Sequence, residues 1–454
     1  MKRLGFSSYL AGVAVTGVAL SASSPARADD ALPPAPVWMD PSDALNPVSL
    51  VRGAGIKVGE GTIFQPQLGI ETGVVSNVFY ENRNETAAGL FRILAEIGTG
   101  SLPNQRLGVA DGNPLDLPGS QQPTYADVGD FQYSANLYAS WDQYLSTNDR
   151  VSSQGGLGGG LLFRGIVNPQ RPLQFAFQES FSRLIRATNF ESSADDNRDI
   201  NTLGFRINYL PPGRSLGGFL YYQNIIDVFE RDNLQFADRM ENQLGLQLGW
   251  QWLPLTRVFG DVSVGYDTGI GGSSQKVNSM PVIASAGIQT ALTLDTTINA
   301  HVGYTNGFYD AGPSYSSVEG GVLFGYRYSP LGRATATYNY SLSDSINANF
   351  YSEHLIQGTI EHYFAPFMVF VRPELRLRSY QGTLVVGTDG STTRDDTIFA
   401  ATVGMRYNFR DWVAGTLDYH VEDVQTDFRY MAAGQIQDPS YVRHELLLGI
   451  RAAY

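Results

Sequence analysis

The residues best suited to chemistry gather late in the chain. Arg372, Glu374, Arg376 and Arg378 recur at every second position, opposite Val371, Pro373, Leu375 and Leu377. Arg406, Asp418, Glu422, Arg443, Glu445 and Arg451 continue the pattern in the segments that follow. A guanidinium presents a planar fork of donors that matches carboxylate or phosphate oxygens. Two uses fit this spacing. One is a cationic strip that guides carboxylate-bearing or phosphate-bearing sugars; the other is an Arg–Glu ladder between neighbouring strands that stiffens a wall. Lys stands only at positions 2, 57 and 276, so 28 of the 31 basic residues are Arg.

Constellations for covalent or metal chemistry are missing from the sequence. There is no Gly-x-Ser-x-Gly elbow, no Cys, and the five His lack ligand spacing. Arg52-Gly53-Ala54-Gly55 leads into strand-like sequence rather than a helix, which removes a dinucleotide reading. The glycines of 155–160 precede no Lys-Ser/Thr pair and read as a close approach in a strand. Asp418-x-His420 matches half of the machinery with which some outer-membrane proteases activate water, but the second acidic pair has no counterpart. The pair reads as a hydrated lumen pair. No enzyme, cofactor or metal is therefore expected.

The elements that must position the charged residues show period two. Met240, Leu244, Leu246, Leu248, Trp250 and Trp252 alternate with Glu241, Gln243, Gly245, Gln247, Gly249 and Gln251. Phe131 to Trp141, Phe64 to Val74 and Ala334 to Leu342 behave alike. Successive side chains of a strand point to opposite faces, so each segment has one oily and one wet face. The runs last about ten to thirteen residues, beyond the usual five or six of a soluble strand and close to what spans a bilayer. An arginine facing lipid at mid-depth costs about 2–4 kcal/mol, so the charged faces must point inward.

Composition agrees. The chain has 454 residues, 43% hydrophobic and 17% charged, with 49 Gly; a soluble protein carries about 25% charged residues. A formal charge of −13 excludes a nucleic-acid partner, whose phosphates require a basic surface. Lys2-Arg3, the apolar run Tyr9 to Leu20 and Ala26-Arg27-Ala28 read as a signal peptide over 1–28. Its removal takes the formal charge to −16. Residues 29–61 read as a Pro-rich periplasmic leader and 62–454 as the barrel.

Tight Pro/Gly links, such as Ser329-Pro330-Leu331-Gly332 and Phe364-Ala365-Pro366-Phe367, alternate with longer polar loops. The expectation is an all-β, transmembrane, antiparallel up-and-down barrel of about eighteen strands. Sixteen is the alternative, since 173–186 and 216–229 alternate least cleanly. Aromatics at the run ends, including Trp141, Trp250, Trp252, Tyr407 and Trp412, suit interfacial girdles against outer-membrane lipid. The final strand, Val442 to Tyr454, ends on an aromatic and suits recognition by the barrel assembly machinery. Residues 100–130 form the longest break, on the side of the short turns.

In the first hairpin, Phe64 to Gly73 leads into Ser76-Asn77-Val78-Phe79. This resembles the second family of β-barrel porins, which often sit with genes for exopolysaccharide synthesis and export. The resemblance implies a passive outer-membrane conduit for a polysaccharide cargo, with a periplasmic export partner docking on 100–130. A general or solute-selective diffusion porin is the alternative, and a sealed structural or adhesive barrel is another.

Overall fold

In the computed structural model, the described residues are 55–59, 61–101, 129–169, 171–185, 197–211, 213, 215–232, 234–271, 274, 276–432 and 434–454. The signal peptide over 1–28, the leader up to residue 54 and most of the 100–130 break lie outside them. A short strand β1 (Ile56–Val58) pairs with the start of β2 (Thr62–Val75), so the last residues assigned to the leader fold onto the barrel. After β2 the wall continues with β3 (Ala88–Ser101), β4 (Phe131–Leu145), β5 (Gly156–Val167), β6 (Leu173–Leu184), β7 (Arg198–Tyr209) and β8 (Leu216–Phe229). Next come β9 (Arg239–Leu253), β10 (Thr256–Gly269), β11 (Val282–Thr293), β12 (Thr296–Asn306), β13 (Ser316–Ser329) and β14 (Gly332–Asp344). It is completed by β15 (Phe350–Phe364), β16 (Phe367–Gln381), β17 (Thr393–Arg410), β18 (Val413–Thr426) and, after a small hairpin of β19 (Tyr430–Ala432) and β20 (Gln435–Gln437), β21 (Tyr441–Ala453).

Each wall strand pairs antiparallel with its neighbours, and β21 returns to pair with β2. The result is a closed barrel of eighteen strands with no open edge. Both uncertain segments, 173–184 and 216–229, are full wall strands, so the sixteen-strand alternative fails. Their alternation is blurred because inward positions carry apolar residues such as Ala176, Phe219 and Ile225, all buried.

Closure sorts the side chains. Leu68, Leu248, Leu448 and Ile450 lie outward and are 58–63% exposed, whereas Gln67, Gln247, Leu447 and Arg451 lie inward and are buried. One end of the barrel carries the tight turns and paired aromatics: Phe131 stacked on Phe177 with centroids 6.3 Å apart, Phe367 tilted against Tyr407 at 4.7 Å, and Trp250 tilted against Trp252 at 6.3 Å. The other end carries the longer loops, including α1 (Asp149–Ser152), which is capped by the Asn148 side chain.

Several of these loops turn into the barrel. Val78, Phe79 and Val151 form a small core with Val75, Leu90, Tyr144 and Leu447. The Ser76-Asn77-Val78-Phe79 element is thereby explained as a clasp on the closing seam. Ser76 and His444 exchange backbone and hydroxyl hydrogen bonds at 2.9 Å. The Asn77 amide donates to the carbonyls of Glu81 at 2.8 Å and Val442 at 3.1 Å and accepts from Glu81 N–H. Residues from opposite ends of the chain are thus tied together where the sheet closes.

Candidate functional site

The site is the inner wall, which falls into three parts: a charged wall, an amide wall and a mouth at the long-loop end. The charged wall runs through β15–β18, β21 and β2–β4. Strand alternation puts Arg372, Glu374, Arg376 and Arg378 of β16 on the inner face, together with Arg406 of β17, Asp418 and Glu422 of β18, and Arg443, Glu445 and Arg451 of β21. Every one of these arginines has a carboxylate beside it. Arg372 lies 3.6 Å from Glu361, Arg376 lies 3.1 Å from Glu353 and also meets Glu374, and Arg378 meets Glu353. Arg406 pairs with Asp418 at 2.7 Å, and Arg443 with Glu445 at 2.5 Å and Glu422 at 3.7 Å. Arg451 meets Glu71, which Arg92 also holds at 3.1 Å while forking onto Asp142 at 2.8 and 3.1 Å.

Burial demands this pairing, because an isolated ion away from water is far too costly to keep. Aromatic rings reinforce it: Arg378 lies over Tyr351 at 4.5 Å and Arg406 over Phe370 at 4.9 Å. Arg451 also rests along Gly69, where any Cβ would collide with the guanidinium stem. Of the two uses open to the arginines, this arrangement is the ladder that stiffens a wall. The Asp418-x-His420 pair is divided between different partners. Asp418 belongs to Arg406, while the His420 ring faces the Thr402 hydroxyl at 2.9 Å and Glu422 at 3.0 Å.

The amide wall spans β6–β10. Strand register stacks three rungs on its inner face. One reads Gln178, Gly204, Gln223, Gln243, and another Gln174, Asn208, Phe219, Gln247, Asp261. Between them stand Arg206, Tyr221, Gly245 and Ser263. Phe219 and Tyr221 have centroids 5.8 Å apart, and Arg206 caps Phe219 at 4.7 Å. Gly245 has a definite use here. A Cβ would strike the Tyr221 ring, which lies across it and donates its hydroxyl to Asp261 at 3.1 Å.

At the mouth, strands distant in the ring are joined. Asp344 at the end of β14 takes Lys276 at 2.6 Å and Arg239 of β9 at 3.3 Å. Arg239 also holds Asp227 of β8 at 2.9 Å, and Arg198 of β7 reaches the same carboxylate at 3.3 Å. Beside this cluster Ile346, in the loop after β14, packs on Phe229 and Ala237, although β8 and β14 are six strands apart. The sequence reading missed this bridge. Its signals were Lys276, the single lysine after residue 57, and Ile346, an apolar residue set within a polar loop.

No protein-family model matches the chain, and no curated protein matches it. The family resemblance of the first hairpin therefore gains no support, nor does the polysaccharide association that came with it. Among solved structures the chain is similar to Acinetobacter baumannii OccAB4, at 10% identity and TM-score 0.45, covering 86% of this chain and 98% of that one. It is similar to Pseudomonas aeruginosa OpdK, solved with vanillate, at 9% identity and TM-score 0.45, covering 86% and 99%. It is also similar to a BenF-like porin from Pseudomonas fluorescens Pf-5, at 10% identity and TM-score 0.44, covering 86% and 99%.

Proposed function

We propose that this chain is an outer-membrane porin, a passive conduit for small hydrophilic solutes. The observation that carries the reading is the closed eighteen-strand wall, apolar outside and polar inside. An apolar outer face suits lipid, and only a closed barrel leaves no unpaired backbone there. At this strand number a barrel has room for an aqueous path rather than only packed side chains. In this reading the tight turns face the periplasm and the longer loops face the exterior.

Two features favour small solutes over the polysaccharide cargo implied by the first hairpin. The arginines that would guide an acidic polymer are already held by carboxylates of the wall. The bridge from Ile346 to Phe229 and Ala237 narrows the mouth through which a chain would leave. Purified barrel in planar bilayers is expected to conduct ions, and liposomes carrying it to swell in small sugars and amino acids but not in large dextrans. A deletion strain that loses one surface polysaccharide while keeping its permeability to small nutrients would overturn the reading in favour of export.

A further inference from the structure

Along the outer face of β6 the apolar cover of the barrel is broken. Alternation turns Leu173, Phe175, Phe177, Glu179 and Phe181 outward, and Glu179 is half-buried between exposed neighbours. It stands six residues from Leu173 at the tight-turn end, about 16 Å up the wall for a strand tilted by about 40°. The apolar band of an outer-membrane barrel is about 25 Å tall, so the carboxyl group lies inside it. Register agrees with that depth. Glu179 is opposite Phe163 of β5, and the exposed, outward Leu161 and Leu157 still stand above Phe163. Among the described wall strands it is the one carboxyl group turned outward at mid-depth. Asp423 lies ten residues from Val413, and Asp199 and Asp395 lie at the long-loop ends of β7 and β17.

The outward side chains beside it are polar too. Asn201 of β7 donates its amide N–H to Glu179 Oε1. On β8, Tyr222 donates its hydroxyl to Asn242 Oδ1 of β9 at 2.8 Å, and Asn224 donates to the same oxygen at 3.0 Å. Tyr222 is six residues from Leu216 at the tight-turn end of its strand, and Asn224 eight. Lipid tails offer these groups no hydrogen bond, and an ionisable side chain against them is unfavourable. A protein surface with donors at the depth of Glu179 would cover them. The bilayer holds every copy of this chain at one height, so a second copy, turned half a circle about the membrane normal, brings such donors. With β7 of both copies at the axis, β6 of each meets β8 of the other, and Glu179 comes level with Tyr222 and Asn224 of the second copy. The exposed Phe181, Phe205 and Leu220 around them supply the aromatic and apolar surface that an interface core uses.

We infer that the outer face of β6–β8 is a two-fold interface between two copies of this chain, centred on β7, with Glu179 of each held by Tyr222 and Asn224 of the other. The inference rests on the membrane placement in the porin reading and not on conduction. Because the chain has no Cys, single thiols report alone. Leu203→Cys, Phe205→Cys and Ile207→Cys, all on the outward face of β7, are treated with a short bismaleimide in native outer membranes, with Phe324→Cys on the outward face of β13 as control. The β7 variants are expected to give a band of twice the monomer mass, and the control to stay monomeric. Sedimentation in detergent should show Glu179→Leu weakening the dimer by about tenfold, with the heat-modifiable band unchanged. Glu179→Gln, which keeps an acceptor oxygen, should weaken it less.

Monomers in membrane and detergent, with no cross-link through β7, overturn the interface; if the same barrel conducts, the porin reading stands. A ring of three or more copies in which the β7 thiols stay apart also overturns it, since such a ring joins two different faces. A dimer that Glu179→Leu leaves as tight as the parent overturns it as well, because the second copy would then not be what holds the carboxyl group. Cross-linked dimers that carry no current keep the interface and overturn the porin reading.

Discussion

The charged wall and the amide wall line the same barrel and solve burial differently. On β15–β18, β21 and β2–β4, guanidinium and carboxylate alternate across neighbouring strands until each arginine is matched. On β6–β9, amides at comparable depth leave oxygens unpaired. The difference follows from magnitudes. A buried unpaired charge is barely tolerable, so each of these guanidiniums keeps a carboxylate within reach, whereas an unpaired amide oxygen costs about 1–3 kcal/mol. The more conspicuous residues are therefore scaffold.

The sharpest way to break this comparison is to remove one ion from the charged wall. Arg92→Met leaves Glu71 with Arg451 and takes the forked guanidinium away from Asp142, which is 2% exposed. A loss of about 3–5 kcal/mol is expected, as for other buried pairs cut on one side. It would be read as a lower urea midpoint for the heat-modifiable band on unboiled gels. A variant as stable as the parent would show that the ladder is not structural.

Next in size is the mouth. Lys276→Met takes the ammonium away from Asp344, which keeps Arg239 at 3.3 Å, and from the Ser345 carbonyl. The expected cost is about 1–3 kcal/mol, confined to the loops. The 345–349 segment should become open to protease while β14 and β15 stay protected, with single-channel current raised or noisier. Unchanged proteolysis would mean that Ile346 on Phe229 holds the bridge without the ion pair.

These two tests also mark what was legible in the sequence. The wall was, because strand period is written locally: Met240 to Trp252 declares its faces without reference to any other segment. So was the inward sense of Arg372, Arg376 and Arg378, since lipid would reject them. Their partners were not legible. Which carboxylate meets which guanidinium depends on the rung each strand occupies, set by turn lengths elsewhere. Arg451 and Glu71 are 380 positions apart and meet only because the barrel closes. The Ser76-to-Phe79 element read as a family mark and is a seam clasp, a role visible only once β21 lies beside it. Lys276 and Ile346 act across the ring, where no local period reaches.

A smaller effect is expected from the amide wall itself. Gln178→Met removes an oxygen that has no partner among the described residues and keeps most of the side-chain volume. Replacing an unsatisfied buried polar group by an apolar one of similar shape is near neutral, within about 0.5 kcal/mol, or stabilising. The same urea midpoint as the parent, alongside a large drop for Arg92→Met, would separate the two walls. A loss as large as that of Arg92→Met would mean that Gln178 is as fully employed as the charges, and the contrast between the walls would fall.

The finest distinction is between the two faces of a single strand, and it needs almost no stability change to read. The chain has no Cys, so one introduced thiol reports alone. Leu244 and Leu248 of β9 lie outward and are 48% and 60% exposed, while Gln243 and Gln247 lie inward and are buried; on β14, Tyr338 lies outward and Thr337 inward, half-buried. In proteoliposomes, cysteines at 244, 248 and 338 should resist a charged, membrane-impermeant maleimide and accept an apolar one. Cysteine at 337 should take the charged reagent quickly and those at 243 and 247 slowly, in the order of their exposure. A pattern reversed between 243 and 244 would place β9 one residue out of register, and such a slip turns every side chain of the strand to the opposite face. The amide wall would then face lipid, where its oxygens have no use.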